Sequence, residues 1–115
     1  MAGDIRITFK RRDEGFKIVP SSSVAYLDAR ITGCDLRLRR WKEGDKFIPF
    51  GMKGYKKLSN LFVDKKLSLL DKRNVRVVTA DGEIVWVVGI RASDKFRIDE
   101  MTSDVVVMEV LDSNA

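Results

Sequence analysis

"VRVVTADGEIVWVVGIR", Val75 to Arg91, is the stretch in which the fold becomes readable. Two runs rich in β-branched residues flank Asp81-Gly82, a dipeptide that suits the two-residue turn of a β-hairpin. The second run, "IVWVVG", is nearly unbroken in its apolarity, which predicts a central strand covered on both faces. Trp86 then reads as core rather than as a base-stacking surface.

Beyond the hairpin, "IRASDKFRIDEMTSD" begins with Arg91, Lys95 and Arg97 and then turns acidic. "VVVMEV" predicts another buried strand, and "LDSNA" a loose end. Before the hairpin, Leu58, Leu61 and Phe62 recur at helical spacing, predicting a helix from Lys57 or Leu58 to about Lys66 with its apolar stripe in the core. Lys56 and Lys57 stand at its start, where cations oppose the helix dipole; a bound anion would relieve that conflict. "SLLDKRN" predicts a second helical turn.

Between Lys42 and Lys57 periodicity disappears. Gly44, Pro49, Gly51 and Gly54 punctuate a loop too apolar for disorder, since it holds Phe47, Ile48, Phe50, Met52 and Tyr55. We expect it to fold back on the domain, with Phe47 and Phe50 as anchors and Tyr55 free for contact. Asp45, after Gly44 and near Arg39 and Arg40, is expected to orient an arginine or cap a turn. In "LRLRRW", alternation turns Leu36 and Leu38 inward and sets Arg37 and Arg39 on one opposite face, roughly 6.5–7 Å apart. "VAYLDARI" alternates likewise, with Ala25, Leu27, Ala29 and Ile31 facing one way. "FKIV" reads as a short strand, and Ile5, Ile7 and Phe9 alternate with Arg6, Thr8 and Lys10 as a half-buried one.

The 115 residues predict one domain, 1–115, with its core about 16–110 and residues 1–12 as either a linking strand or a partly vector-derived segment. Between Asp35 and Arg73 lie 12 Lys and Arg against 5 Asp and Glu; the rest of the chain holds 10 against 12. The middle third therefore carries all of the positive excess, which points to a polyanion, nucleic acid first. With no histidine the His-based catalytic pairs are excluded, and with only one cysteine besides, the sequence argues against a zinc site. No GxxxxGK[ST] or GxGxxG phosphate loop is present. No signal-type or membrane-spanning segment appears, so a cytoplasmic protein without membrane contact is expected.

The candidate nucleic-acid-binding residues are Arg37, Arg39, Lys53, Tyr55, Lys56, Lys57, Lys66, Arg73 and Arg91; the composition does not distinguish RNA from DNA. Arginine supplies bidentate phosphate contacts, lysine mobile charge, and tyrosine a stacking face. Arg40 and Lys65 are aimed elsewhere by strand alternation and helix phase. Gly44, Asp45, Pro49, Gly51 and Gly54 are expected to shape the loop. No catalytic residue and no metal ligand is assigned.

In series, Arg37 to Arg40, Gly44-Asp45, Pro49 and Gly51, Lys56-Lys57-Leu58, Lys66, Arg73, and Trp86-Val87 with Gly89 and Arg91 resemble the C-terminal domain of tRNA(Ile)-lysidine synthetases. The resemblance runs from about Phe16 to Val110. It implies an α+β fold: a β-rich sandwich of mostly antiparallel strands with one or two short helices, similar to the B3/B4-type synthetase-associated domain. It implies a parent ligase that uses ATP and magnesium to form lysidine at a wobble cytidine, in a separate N-terminal domain whose SGGxDS loop this chain lacks. This domain would be non-catalytic and without a cofactor, and would grip the acceptor stem of an isoleucine tRNA. The partners implied are that tRNA and the parent's N-terminal catalytic domain; homodimerisation is left open. The alternative is a docking module whose basic face packs on its own N-terminal half or on another subunit.

Overall fold

Strands β6 (Arg76–Ala80) and β7 (Glu83–Val87) pair antiparallel across Asp81 and Gly82, whose φ angles are 50° and 86°. Both positive angles are those of the hairpin turn expected from the dipeptide. The computed structural model describes residues 4–13, 15–19 and 21–111. Within them the other elements are β1 (Ile5–Arg11), β2 (Val24–Asp28), a 3-10 turn (Ala29–Gly33), β3 (Leu36–Arg40), β4 (Lys46–Phe47), β5 (Lys56–Lys57), α1 (Leu58–Asp64), α2 (Leu69–Arg73), β8 (Arg91–Ala92) and β9 (Asp104–Val110).

All strand pairings are antiparallel, in three sheets: β1-β9-β2, β3-β6-β7-β8, and the small β4-β5 pair. With two short helices this is the expected β-rich α+β architecture. The four-stranded sheet is the middle layer. Val78, Ala80, Val85 and Trp86 pack toward Ala25, Leu27, Val106 and Met108 of the three-stranded sheet. Val77, Ile84 and Val87 pack toward Phe47 and toward Leu58, Leu61 and Phe62 of α1. Burial on both faces accounts for the unbroken apolarity of the hairpin.

Strict alternation would send Val85 and Trp86 to opposite faces. A register shift separates Val78↔Trp86 from Thr79↔Ile84, leaving Val85 as the extra residue of a bulge. Both side chains therefore enter the same core layer. The carbonyl of Val85 is satisfied instead by the Ser93 amide at 2.9 Å.

Several local expectations are corrected. β1 is a strand, but Phe9 is 67% exposed and Ile7 is exposed as well. β1 is the outer strand of its sheet and meets the rest of the domain chiefly through β9; Ile5 packs at the margin of the core, while Ile7 and Phe9 stay largely uncovered. β2 ends at Asp28 rather than at Ile31. The Asp28 carboxylate accepts from the Arg30 amide at 2.9 Å and starts the 3-10 turn. Residues 16–19 join no ladder. Leu38 lies on the inward face with Val78 but is 47% exposed, because β3 is an edge strand. The expected loose end falls on residues 112–115, outside the described residues except for Leu111; Met1–Gly3 also lie outside them.

Candidate nucleic-acid interface

Phe47 holds the middle loop to the core. It is 1% exposed and packs among Leu58, Leu61 and Phe62. Phe50 does not share that role: its side chain is 52% exposed, and the loop is instead tied at this point by the Phe50 amide to the Ala92 carbonyl, 3.0 Å. Pro49 bridges to Ser93, and the Gly51 amide donates to the Asp94 carboxylate at 3.0 Å. Gly51 has φ 85°, a conformation that disfavours any side chain. Gly44, with φ 90°, turns the chain into Asp45.

Asp45 both orients an arginine and caps a turn. Arg39 Nη1 and Nη2 donate to its two oxygens at 2.9 and 3.1 Å, and the Lys42 amide donates at 2.8 Å. Its backbone carbonyl accepts from Leu58 at 3.0 Å, fastening β3, the loop and α1 together. Burial pushes the carboxyl pKa up, but the hydrogen bonds from Arg39 and Lys42 and their charges outweigh it, holding the pKa below the usual value.

The small β4-β5 pair gathers the clearest basic cluster. Lys46 stands opposite Lys57, and the Lys46 ammonium lies 4.9 Å from the centre of the Tyr55 ring. Tyr55, Lys56 and Lys57 with Asn60, Val63 and Asp64 of α1 line an open cleft of about 470 Å³. Lys56 is ion-paired to Asp64 across that cleft. Register places Arg37 and Arg39 on the face of the four-stranded sheet that α1 covers, since Arg39 opposes Val77. Their shared orientation is the one alternation predicts.

The remaining candidates are more spread. Arg37 is ion-paired to Asp35 at 2.9 Å. Lys53 sits on the exposed loop tip, Lys66 in the turn after α1 with φ 54°, and Arg73 at the exposed end of α2. Arg91 belongs to β8, the opposite edge of the sheet from β3, and donates to the Phe50 carbonyl at 2.9 Å. Arg91 and Arg37 are therefore not neighbours; three strand spacings separate their strands, about 14 Å. Lys46, Asn60 and Asp64 join the cluster without having been singled out by the sequence. A two-residue strand pair leaves no periodic signal, and an exposed helical polar face resembles any solvated one. Among the described residues no group of three or more His, Cys, Asp or Glu could hold a metal ion, and no helix is long and apolar enough to cross a membrane.

With this geometry in hand, comparison with known proteins is specific. A family model described as the TilS substrate C-terminal domain matches residues 36–109. The tRNA(Ile)-lysidine synthase of Parabacteroides distasonis is 48% identical over 96 residues, which is 84% of this chain and 22% of that protein. That of Clostridium acetobutylicum is 34% identical over 106 residues, 92% of this chain and 23% of that protein. The chain thus spans less than a quarter of the length of these relatives. A crystal structure of a TILS C-terminal domain superposes with a TM-score of 0.82 at 22% identity, covering 96% of this chain and 85% of that one, and shares the fold.

Proposed function

The chain belongs to the TilS substrate C-terminal domain family, and from that membership we propose that it is the tRNA-gripping module of a tRNA(Ile)-lysidine synthase. The observation that carries the reading is the convergence of Lys46, Tyr55, Lys56 and Lys57 on one short strand pair beside α1. Lysine ammoniums on a shallow surface follow a phosphate backbone without reading bases, and Tyr55 adds a stacking face. Arg37 and Arg39, on the same sheet face, extend the positive surface toward β3. Lys53, Lys66, Arg73 and Arg91 supply outlying contacts to a long ligand, the acceptor stem of an isoleucine tRNA.

ATP, magnesium and lysidine formation are assigned to the catalytic domain of the parent enzyme. This chain is read as a binding module, and no chemical step is assigned to it. Its contribution is affinity and register, delivered to chemistry elsewhere on the tRNA. A cytoplasmic setting follows from the substrate.

The test is the Lys56→Ala/Lys57→Ala double variant in the full-length synthase, with tRNA affinity measured against salt. With about 3–5 phosphate contacts, the logarithm of affinity should fall with the logarithm of salt at a slope of about −2 to −4, and the double variant should flatten it. Unchanged tRNA affinity with the fold intact would overturn the reading in favour of a docking module.

A further inference from the structure

A surface built only for phosphate gains nothing from a carboxylate, yet Asp64 sits in the basic cleft with Tyr55, Lys56, Lys57 and Asn60. A phosphodiester oxygen and a carboxylate are both acceptors and repel at short range. In the free protein Asp64 is paired with Lys56 and, at 58% exposure, is also open to water, which screens the pair. A nucleic acid seated in the cleft displaces that water, so a donor on the ligand is favoured in its place. Once Lys56 turns to a phosphate, the carboxylate is left beside the sugar-phosphate chain.

We propose that Asp64 accepts a hydrogen bond from a ribose 2′-hydroxyl, making this cleft the place where the domain distinguishes RNA from DNA. The inference rests on the interface reading above. The 2′-hydroxyl is the donor that an RNA strand offers near its phosphates and a DNA strand lacks. In A-form RNA these hydroxyls line a wide, shallow minor groove, which a short exposed helix can approach. Asn60 lies four residues before Asp64 on α1 and so on the same face, exposed, with an amide that can donate and accept. Lys56 and Lys57 then take the flanking phosphates, and Asp64 and Asn60 take the sugar edge between them.

The test compares binding of the 115-residue chain to an RNA hairpin, to the DNA hairpin of the same sequence, and to the RNA hairpin carrying 2′-O-methyl riboses. A hydrogen bond to a charged acceptor predicts an RNA preference of about tenfold, with the methylated hairpin behaving like DNA. Asp64→Ala should tighten DNA binding, by removing a repelling charge, and bring the RNA-to-DNA ratio close to one. Asp64→Asn, which still accepts a hydroxyl proton, should retain most of that ratio. Thermal melts of each variant report whether the fold is intact. If Asp64→Ala strengthens binding to both hairpins by the same factor, the carboxylate is only an electrostatic brake and the proposal is overturned. If Lys56→Ala/Lys57→Ala leaves RNA affinity unchanged, the interface reading itself fails, whatever the Asp64 variants do.

Discussion

Arg39 holds Asp45 with both terminal guanidinium nitrogens, at 2.9 and 3.1 Å, and Asp45 in turn holds the Lys42 amide. The side chain of Asp45 is 7% exposed. One of the arginines that faces the candidate interface is thus also a tie between a strand and the loop that builds the interface. Asp45→Ala should leave Arg39 and the Lys42 amide without their acceptor and cost about 1–3 kcal/mol in a urea melt. A loss near zero would mean that the loop is held by Phe47 and the Pro49 bridge alone.

The same carboxylate sets a pH dependence. Its folded-state pKa is depressed, so the unfolded chain binds the proton more readily. The stabilisation is complete above the unfolded carboxylate range and is lost as pH falls through the lower folded value, below about pH 4. Asp28 is displaced in the same direction: burial raises it, but the Arg30 amide, the Thr102 hydroxyl and the Arg30 charge outweigh that. Melting temperature followed downward from neutral pH should fall in this window, and less steeply in Asp45→Asn.

Trp86 should show the largest single loss of stability. It is 1% exposed in the layer between the two main sheets. Trp86→Ala should cost about 3–5 kcal/mol. Deleting Val85 closes the bulge into a regular ladder, with Thr79 still opposite Ile84 and Val78 still opposite Trp86, so Trp86 keeps its core face and the variant should melt cooperatively but at a lower temperature, having lost one buried side chain.

Lys66 separates folding from binding. Its φ of 54° lies in the left-handed region just after α1, where glycine is favoured. Lys66→Gly should raise stability by roughly 1 kcal/mol, while removing one cation from the proposed tRNA surface. A variant that melts higher yet binds tRNA more weakly would assign Lys66 to the ligand; one that binds equally well would assign it to the turn alone.

The middle of this fold was legible from its sequence. Asp81-Gly82 between two apolar runs has few interpretations, and so has a helix with Leu58, Leu61 and Phe62 on one face. The edges were less legible. Alternation predicted the faces of Leu38 and Phe9 but not their exposure, because burial depends on whether another layer reaches that far. The cluster around Lys46 depends on a pairing across a loop, Lys46 with Lys57, which nothing in either dipeptide announces. Arg91 and Arg37 fall into one series along the chain and lie on opposite edges of a sheet in space.

The exposed edge of β1 has a consequence for handling the protein. If two copies met there antiparallel about Thr8, Arg6 of one would stand opposite Lys10 of the other, twice per contact, with Arg11 nearby. Like charges across a ladder oppose zippering, so this uncovered strand discourages its own stacking into oligomers even with Phe9 bare. Concentrated stocks should therefore stay dispersed in dilute buffer and begin to associate as added salt shields these cations.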